Sequence, residues 1–520
     1  MDAMTLRVIL ASLSFSFAAQ AFAQSGLAIG TGGVVGLWES NCQNCHGARG
    51  QGGGAGTRTL LDDEWAYGEA RGTDRELFDA IKLGMPESGM EAFGQTLRDE
   101  QIWALVVYIH ELRDIDRRKR NGNPRPDASG VFHSRHADFR IETVIDGGIS
   151  DTPWSIEFLP DGRMLLSQRN GQLLVHTTGT PAGKLSPPVA GTPQVRNRGQ
   201  GGLMDIALHP DFAKNKWIYL AFSDPLQRSG RNTGMTKIVR GRLSDTDPPA
   251  WTDEQVIFQA KPEHYLPTDL HFGCKIAFDP KDASILFFGI GERGMADMAQ
   301  DLSRPNGKIH RVKDDGTIPP DNPLVGQPDV YESIWSYGHR NPQGLVFDLQ
   351  GRLWDTEHGP RGGDELNLIR KGVNYGWPII SFGMNYNGAP LTVPFPDLVG
   401  REPAPLTGSD STDAQGKADS ALAMPIDRWL PSVGVCGLTV STGGVFPGWK
   451  GDLFAGGLSG ESVDRFRITD GQGSAPVVVA EREEIIRGHG RVRDVVCAPD
   501  GSIYVVLNDP GKVIRLIPAE

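Results

Sequence analysis

Short runs of apolar residues, each followed by a polar turn and a second apolar run, recur through the C-terminal part of the chain. Runs of this length, bounded by Pro, Asp and Gly, are typical of antiparallel strands joined by tight turns. Six such units begin at Glu157, Ala207, Ala277, Val346, Val445 and Cys497. Spacings of roughly 50 to 100 residues suit four-stranded blades with insertions. The pattern predicts an all-β six-bladed β-propeller over residues 139–520, whereas a β-sandwich would not explain the repeat.

Nearer the N-terminus the apolar residues recur every three or four positions, which predicts a helix. The residues in this pattern are Ile102, Leu105, Val106, Ile109 and Leu112. A charged stretch that follows, residues 114–138, contains Pro and Gly without periodicity and predicts a linker. We therefore expect a small all-α domain over residues 24–113, then the linker, then the propeller.

The first 23 residues have the features of an export signal. One Arg precedes an apolar run from Val8 to Phe17, and Ala21-Phe22-Ala23 offers a small-x-small cleavage site. This run is too short to span a bilayer, and no later stretch of the sequence is long enough. We expect an exported chain without a membrane span.

Charge and cysteine content narrow the function. The formal net charge of -12 at pH 7 argues against nucleic acid or anionic lipid as a partner. The sequence Cys42-Gln43-Asn44-Cys45-His46 is a C-x-x-C-H motif, the attachment site for a c-type haem. Both thiols can add to one porphyrin while His46 ligates its iron. A thioredoxin-like redox pair would leave His46 unexplained. Covalent haem on an exported chain implies the periplasm.

A haem iron held by His in an electron-transfer protein usually takes a Met sulfur on its other side. Met85 and Met90 are the two candidates. The stretch from Leu83 to Leu105 resembles the small class I cytochromes c that are fused to alcohol and sugar dehydrogenases, in which a Gly-Met-x-x-Phe segment precedes a closing helix. The resemblance implies that Met90 is the ligand and that Met85 serves packing.

Seven segments, in order, resemble soluble quinoprotein glucose dehydrogenases and aldose sugar dehydrogenases. They begin at Gly199, His271, Gly307, Ser336, Glu357, Asn374 and Gly490. The resemblance covers nearly all of residues 150–516. It implies a six-bladed propeller that holds pyrroloquinoline quinone (PQQ) and calcium at one mouth of its central channel and oxidises the anomeric carbon of aldoses.

The resemblance also implies roles for individual residues. His271 takes the place of the general base, for which a near-neutral pKa is suitable. Arg340 would lie over the quinone carbonyl that receives hydride, where a guanidinium stabilises developing negative charge. Asn341 matches a cofactor-contacting position, and Gln200 and His358 match positions lining the substrate and cofactor pocket.

Two further groups follow from the same resemblance. Arg491 and Arg493 would project on one side of an extended segment and meet the carboxylates of the quinone. The backbone carbonyls of Gly359 and Pro360 match the positions that hold the catalytic calcium, a cation that prefers oxygen ligands. The residues that resemble a nearby structural calcium site are Asp364, Glu365 and Tyr375.

Some positions depart from the family pattern. Ser459 stands where the family has a Lys that contacts the cofactor, which could weaken cofactor binding. Leu270 replaces a polar group before the base, and Lys275 replaces an Arg. Three thiols outside the haem motif allow three disulfide pairings, among which the sequence does not choose. They are Cys274, Cys436 and Cys497.

Together these features predict a periplasmic dehydrogenase that oxidises an aldose sugar or related alcohol, passes hydride to PQQ and then electrons to its own haem c. The onward acceptor would be a periplasmic cytochrome, a copper protein or the respiratory chain. Alternative substrates are a non-sugar alcohol or an aldehyde hydrate such as sorbosone. A calcium-dependent propeller hydrolase, such as a lactonase, would give the haem no purpose. A non-catalytic binding propeller would leave His271, Arg340 and the arginine pair without a shared role.

Overall fold

The computed structural model describes residues 33–53, 57–61, 74–177, 184–391, 422–470 and 477–519. The predicted export signal lies outside these residues. The described residues form two compact units. One contains the chain up to Leu112 together with Asn385–Pro390, and the other contains Arg113–Met384 and Leu391–Glu520.

The N-terminal unit is helical. Its helices are α1 (Val34–Asn41), α2 (Gln43–His46), α3 (Asp74–Leu83) and α4 (Asp99–Asn121). The periodic apolar face predicted for α4 is confirmed, since all five of its residues are buried. No helix in the described ranges is both long and apolar enough to cross a membrane.

Helix α4 differs from the prediction at its C-terminal end, where it continues through residues 114–121 of the expected linker. Arg118 lies 2.8 Å from Asp114, and Arg120 lies 2.7 Å from Asp116. Opposite charges four residues apart stabilise a helix without an apolar face. Apolar periodicity therefore missed these two turns.

The strands of the second unit form six sheets, in each of which neighbouring strands run antiparallel. The first two strands of the chain are β1 (Phe132–Ser134) and β2 (Ala137–Ile145). Blade 1 contains β3 (Pro153–Phe158), β4 (Met164–Gln168), β5 (Leu173–Thr177) and β6 (Lys184–Leu185). Blade 2 contains β7 (Leu203–Leu208), the short helix α5 (Phe212–Asn215), β8 (Ile218–Arg228), β9 (Arg231–Leu243) and β10 (Trp251–Gln259).

The next three blades have the same four-stranded order. Blade 3 contains β11 (Ile276–Asp279), β12 (Asp282–Ile290), β13 (Lys308–Lys313) and β14 (Ile334–Tyr337). Blade 4 contains β15 (Pro342–Phe347), β16 (Leu353–Glu357), β17 (Asp364–Ile369) and β18 (Asp427–Trp429). Blade 5 contains β19 (Val435–Val440), β20 (Leu453–Gly457), β21 (Ser462–Thr469) and β22 (Val478–Arg487).

Blade 6 is completed from both ends of the propeller sequence. Its C-terminal strands are β23 (Arg491–Cys497), β24 (Ile503–Asp509) and β25 (Lys512–Pro518), and the strand order is β1-β2-β25-β24-β23. Strand β2 pairs with β25 from Phe139 opposite Pro518 to Ile145 opposite Val513. This pairing hides the edge that β25 would otherwise expose.

The six-bladed β-propeller prediction is confirmed. Five of the six sequence repeats fall on the first two strands of a blade and the turn that joins them, whereas the unit that begins at Val445 covers the connection after β19 and the second strand, β20. The first strands of successive blades pack against one another in the closed series β3, β7, β11, β15, β19, β23 and β3. Apolar clusters fill the space between blades, with Trp154, Tyr219 and Phe288 among the buried residues of one cluster. The ring therefore has a continuous scaffold, and its loops carry the chemistry.

Candidate functional site

The residues singled out from the sequence lie where the first strands of the blades begin or the second strands end. His271 precedes β11, Arg340 precedes β15, His358 follows β16 and Arg493 lies in β23. The first two strands of each blade are antiparallel, so the start of one and the end of the other lie at the same end of the ring. The fold therefore gathers residues that are far apart in sequence at one mouth of the propeller.

His271 is held in an unusual backbone conformation. Its φ is 50°, in the left-handed region, and only 7% of the residue is exposed. The backbone N–H of His271 donates to Oε1 of Gln200 at 2.8 Å. Gln200, predicted to line the pocket, thus supports the backbone of the predicted base.

Arg293 holds the same segment through hydrogen bonds to backbone carbonyls. Its buried guanidinium donates to the carbonyl oxygens of Leu270 and Gly234, both at 2.7 Å, and to that of Thr268. It also lies 3.5 Å from the ring centre of Phe272. A planar group with several fixed donors is suited to tying loop carbonyls together, and here it fixes the residues on both sides of His271.

Glu292 completes the site of the predicted base, and the sequence reasoning did not identify it. Its Oε1 lies 2.6 Å from Nδ1 of His271, and its Oε2 accepts the N–H of Met295 at 2.7 Å. When Nδ1–H donates to this carboxylate, Nε2 is the nitrogen that can accept a proton. The available signal in the sequence was a carboxylate two residues after the buried strand β12, in a short segment flanked by Gly291 and Gly294.

The charges around this pair act in opposite directions. Burial and then the charge of Arg340 lower the pKa of His271, while Glu292 partly offsets them. Burial would raise the pKa of Glu292, but the hydrogen bond from His271 and the charges of His271 and Arg340 lower it below its usual value. At neutral pH the pair is therefore a carboxylate beside a neutral imidazole that is ready to accept a proton.

Arg340 and Asn341 connect β14 to the start of β15. The guanidinium of Arg340 donates through Nη1 to the carbonyls of His358 and Gly359, at 3.1 and 2.8 Å. Nδ2 of Asn341 lies 3.2 Å from Nδ1 of His358. The three predicted cofactor-contacting residues are thus brought together. Burial and the nearby charges of Arg340, Arg493 and His271 lower the pKa of His358 well below its usual value.

Arg493 approaches from blade 6. Its Nη1 donates to Oε1 of Gln343 at 3.2 Å, and its guanidinium lies 4.1 Å from the ring centre of Trp154. Burial lowers its pKa to about 10, and the charge of Arg491 contributes in the same direction. The buried Val492 separates the two arginines, both of which are half-buried. Because the strand register is irregular on both sides of Val492, their projection on one side stays a prediction.

Three buried polar atoms of this pocket have no hydrogen-bond partner among the described residues. They are Nε of Arg340, Nε of Arg493 and Nε2 of His358. Buried donors without partners are costly. The charges of both guanidinium groups act on His358, and two such groups near one another favour an anion with several oxygens. The donor set fits a ligand that carries several carboxylates and carbonyls. PQQ is such a ligand.

The predicted calcium positions differ in their surroundings. The carbonyl of Gly359, which would face the catalytic calcium, accepts from Arg340 in this structure. Both oxygens of Asp364 are used within the fold, since they accept from Gly359 N, Ser432 Oγ, Val433 N and Val435 N at 2.6–3.0 Å.

The predicted structural calcium group is not brought together by its side chains. Asp364 and Glu365 are neighbours in β17 and therefore project to opposite faces of the sheet. The hydroxyl of Tyr375 donates to the carbonyl of Leu368 at 2.6 Å and accepts the N–H of Arg370. The roles of Gly359, Pro360, Glu365 and Tyr375 in calcium binding stay predictions.

The departures from the family pattern also have positions in the fold. Ser459 is exposed in the turn between β20 and β21, and its N–H donates to the carbonyl of Val433. Cys274, Cys436 and Cys497 are free thiols, so none of the three possible disulfides is present. Cys274 and Cys436 are buried, and burial raises their pKa values, that of Cys436 to about 12.

In the N-terminal unit the C-x-x-C-H motif spans the end of α1 and the short helix α2. The N–H of His46 donates to the carbonyl of Cys42 at 2.9 Å, which brings both thiols and the imidazole onto one turn. Nδ1 of His46 is buried without a partner in the described part of the chain. Burial raises the pKa of Cys42 to about 11, with a smaller contribution from Cys45. The motif therefore fits a haem that is attached here and ligated by His46.

Met85 and Met90 are adjacent in space. They form an isolated antiparallel bridge, with N–H to O distances of 2.9 and 3.1 Å in the two directions. Both residues are half-buried. Because the bridge holds the two side by side, the assignment of Met90 as the axial ligand stays a prediction.

Comparison with known families divides the chain at the same place as the fold. Residues 150–515 match the family model described as "Glucose / Sorbosone dehydrogenase". Residues 34–109 match the model "Cytochrome C oxidase, cbb3-type, subunit III". The predicted combination of a sugar dehydrogenase propeller with an N-terminal cytochrome c domain is confirmed.

Similar proteins cover most of the propeller. The "Aldose sugar dehydrogenase YliI" of Escherichia coli (strain K12) is 37% identical over 394 residues, which are 75% of this chain and 96% of that protein. A crystal structure of an E. coli aldose sugar dehydrogenase in the apo-form matches 73% of this chain and all of its own, with 34% identity and a TM-score of 0.61. The PQQ-bound form of an aldose sugar dehydrogenase from Streptomyces coelicolor matches 73% of this chain and 98% of its own, with 26% identity and a TM-score of 0.53.

Proposed function

The chain belongs to the glucose / sorbosone dehydrogenase family, and from this premise we propose that it oxidises an aldose sugar or a related alcohol, using PQQ as first acceptor and a covalent haem c as second. The observation that carries the proposal is one mouth of the propeller, where a His–Glu pair adjoins two arginines with unpartnered buried nitrogens. The same chain carries a C-x-x-C-H motif on an adjoining cytochrome domain.

The pocket residues would bind and orient the cofactor. The guanidinium groups of Arg340 and Arg493 would donate hydrogen bonds to its oxygens. The amide of Asn341 and the imidazole of His358 would add further polar contacts. Stacking on Trp154 limits the orientations that Arg493 can adopt. When bound, PQQ supplies the electron-accepting carbonyl for the hydride that leaves the substrate.

His271 would take the hydroxyl proton of the substrate at Nε2. Its lowered pKa keeps it neutral at the start of the reaction, and the Glu292 carboxylate stabilises the imidazolium that forms. The left-handed backbone and the contacts of Arg293 hold the ring in place. Arg340, which lowers the pKa of His271 through its charge, favours return of the proton to solvent after the reaction.

Calcium is part of the proposal as a second cofactor. The carbonyls of Gly359 and Pro360 would hold it, and Arg340 would then share the oxygen of Gly359 with the cation. A bound divalent cation polarises a neighbouring carbonyl as a Lewis acid.

His46 and Met90 would hold the haem iron, and Cys42 and Cys45 would attach the porphyrin through thioether bonds. The haem would pass electrons one at a time to a periplasmic acceptor, such as a cytochrome, a copper protein or the respiratory chain. The predicted export signal and the proposed covalent haem support the periplasm as the location.

One observation favours a second class of substrate. Leu270, directly before the base, is 43% exposed, and an apolar side chain at this point suits a less polar alcohol or an aldehyde hydrate such as sorbosone. Leu270→Ser would then raise the KM for such substrates and lower it for aldoses.

The test is anaerobic mixing of the oxidised full-length protein, loaded with PQQ and calcium, with a panel of aldoses and alcohols while the haem absorption is followed. Haem reduction that requires substrate, PQQ and calcium together supports the proposal and identifies the substrate class. Haem that dithionite reduces but no substrate reduces, in a protein that binds PQQ stoichiometrically, contradicts it.

A further inference from the structure

A group of buried ionisable side chains lies beside the backbone of Arg340, whose N–H donates to Oε2 of Glu357 at 2.6 Å. Asp355 and Glu357 in β16 and His339 before β15 are at most 3% exposed. Their ligand atoms all lie within 4.8 Å of one another. We call these three residues, which no step of the proposed reaction uses, the blade-4 cluster.

The sheet register brings further polar groups to the same face. Glu357 is directly opposite Glu365, and Asp355 is directly opposite Asn367. Nδ2 of Asn367 donates to Oε1 of Glu357 at 3.0 Å and to Oε2 of Glu365 at 3.1 Å. Like charges directly opposite each other destabilise a sheet, so this arrangement calls for a positive charge between the strands.

Three oxygen atoms at this place lack hydrogen-bond partners within the described residues. They are both carboxylate oxygens of Asp355 and Oδ1 of Asn367, and both residues are fully buried. Buried polar atoms are almost always paired. A carboxylate with neither oxygen paired, beside an amide oxygen in the same state, therefore indicates a missing ligand.

No Lys or Arg side chain in the described structure forms an ion pair with Asp355 or Glu357, whose only ion-pair partner is His339. Arg340 reaches Glu357 through its backbone N–H alone, at 2.6 Å. Arg428 is opposite Glu365 in the next strand, and its charge acts on that residue. Glu357 is compensated by hydrogen bonds from Arg340 N and Asn367 Nδ2 and by its contact with His339. Asp355 has no such hydrogen bond among the described residues, and burying an uncompensated carboxylate costs several kcal/mol, at order of magnitude.

The spacing between His339 and Glu357 is that of two ligands around one cation, whereas Asp355 lies somewhat farther away. Nδ1 of His339 lies 3.1 Å from Oε1 of Glu357 and 3.9 Å from Oδ2 of Asp355. Neighbouring ligands about 2.1 Å from a common metal lie about 3.0 to 3.4 Å apart. Nε2 of His339 lies 2.8 Å from Oγ of Ser336. A proton on Nε2 would leave Nδ1 free to ligate, as second-sphere hydrogen bonds do in metal sites.

We propose that His339, Asp355 and Glu357 bind a divalent transition-metal cation of the zinc or manganese class, with Oδ1 of Asn367 as a fourth ligand. One imidazole and two carboxylates suit such cations better than calcium, which prefers oxygen ligands only. The site is separate from the carbonyls of Gly359 and Pro360. By neutralising Glu357, the cation would stabilise the carboxylate that holds the backbone of Arg340.

The test uses the full-length protein without added PQQ. After dialysis against a chelator, the protein is incubated with Zn²⁺ or Mn²⁺ in the presence of excess Ca²⁺, desalted, and analysed for metals by mass spectrometry, with the haem iron as the count of chains. We expect one transition-metal ion per chain and a rise of several degrees in the unfolding temperature. Excess calcium prevents binding at any calcium site from being mistaken for this one.

Matched variants decide where the ion binds. Asp355→Asn and His339→Gln should each lower the affinity at least tenfold and abolish the rise in unfolding temperature. Asp205→Asn, which removes a buried carboxylate that Lys275 pairs with elsewhere in the propeller, should retain the ion.

Two results would overturn the proposal. One is wild-type protein that is folded by near-ultraviolet circular dichroism yet binds no transition metal. The other is unchanged binding in His339→Gln, which is the variant to use if Asp355→Asn does not fold. Neither result depends on activity, so the site can fail while the proposed dehydrogenase function stands.

Discussion

Blades 4 and 6 supply the two arginines of the pocket in the same way but balance the neighbouring charges differently. In each case an adjacent residue in the chain is itself ionisable and contacts charged side chains. Beside Arg493, Asp494 meets Lys275 at 2.7 Å, and the same ammonium lies 2.9 Å from Asp205. Beside Arg340, His339 meets two carboxylates and no Lys or Arg side chain among the described residues pairs with them.

The difference shows how a propeller can bury acids at its centre. Burial would lower the pKa of Lys275, but Asp205 and Asp494 raise it well above its usual value, so the ammonium stays charged and compensates them. In blade 4 burial and the charges of Glu357 and Glu365 raise the pKa of Asp355 well above its usual value. The acids beside Arg493 thus have a counter-charge within the fold, whereas for the acids beside Arg340 the proposed cation would supply it.

The largest effect is expected at the mouth of the propeller, to which both blades contribute an arginine. His271→Ala removes the proposed proton acceptor, on which the charge of Arg340 acts, and general-base catalysis contributes about 10²- to 10⁴-fold. We expect the turnover number with PQQ-loaded protein to fall about 10³-fold while PQQ binding changes less than threefold. Dye-linked steady-state kinetics and a fluorescence titration of PQQ measure the two quantities. A variant that retains a tenth of the activity would contradict the role given to His271.

Removing the counter-charge of blade 6 should make it resemble blade 4. Lys275→Met leaves Asp205 and Asp494 buried and uncompensated, which costs about 3 to 5 kcal/mol when a buried ion pair is broken. Urea unfolding followed by circular dichroism gives the loss of stability.

Lys275→Arg is the matched control, because it keeps the positive charge and should lose less than about 1.5 kcal/mol, the usual cost of a change that keeps the volume of a buried side chain. Equal losses in both variants would mean that the ammonium contributes through packing rather than charge.

The two arginines should also differ in what they do. Arg493 is linked to other side chains by a single hydrogen bond to Gln343 and by stacking on Trp154, so Arg493→Gln should mainly weaken cofactor binding. Loss of one charge-assisted hydrogen bond costs about 1.5 to 3 kcal/mol, which corresponds to a 10- to 100-fold weaker PQQ affinity. The turnover number at saturating PQQ should change less than threefold. A large loss of turnover at saturation would place Arg493 at the reacting atoms instead.

The smallest effect is expected from replacing Glu292, whose carboxylate contacts Nδ1 of His271. Because Glu292 raises the pKa of His271 against burial and Arg340, Glu292→Gln should lower that pKa further. Activity requires neutral His271 and rises as pH rises through its pKa, so the acidic limb of the pH–rate profile should move to lower pH. We expect about a tenfold drop in turnover number, typical of a modest loss in imidazolium stabilisation. Glu292→Asp, which keeps the charge, should retain the original limb, and an unmoved limb in Glu292→Gln would contradict the coupling.

The sequence predicted what is local or repeated. The six turns between apolar runs located the first hairpin of every blade, and the C-x-x-C-H motif marked the cytochrome domain. The resemblance pointed to His271, Arg340, Asn341 and Arg493, which lie within continuous matched segments, and the fold places them at the ends of the inner strands; their roles stay predictions.

What the sequence could not predict depends on contacts between distant segments. Glu292 meets His271 across 21 positions, and Lys275 meets Asp494 across 219. The cluster around Asp355 exists only because the register of β16 and β17 sets acids opposite each other. Local periodicity carries no information on register between strands, nor on ion pairs that extend a helix, as in the C-terminal turns of α4.

The pairing of β2 with β25 has a consequence for how the protein forms. Arg515 in β25 and Glu142 in β2 meet at 2.6 Å although 373 positions separate them. Contacts between residues so far apart in sequence form slowly, because the intervening chain must first be brought into place. During synthesis the cytochrome segment and β2 emerge early, whereas the strand that completes blade 6 emerges last. We therefore expect the cytochrome domain to fold while the propeller ring is still open.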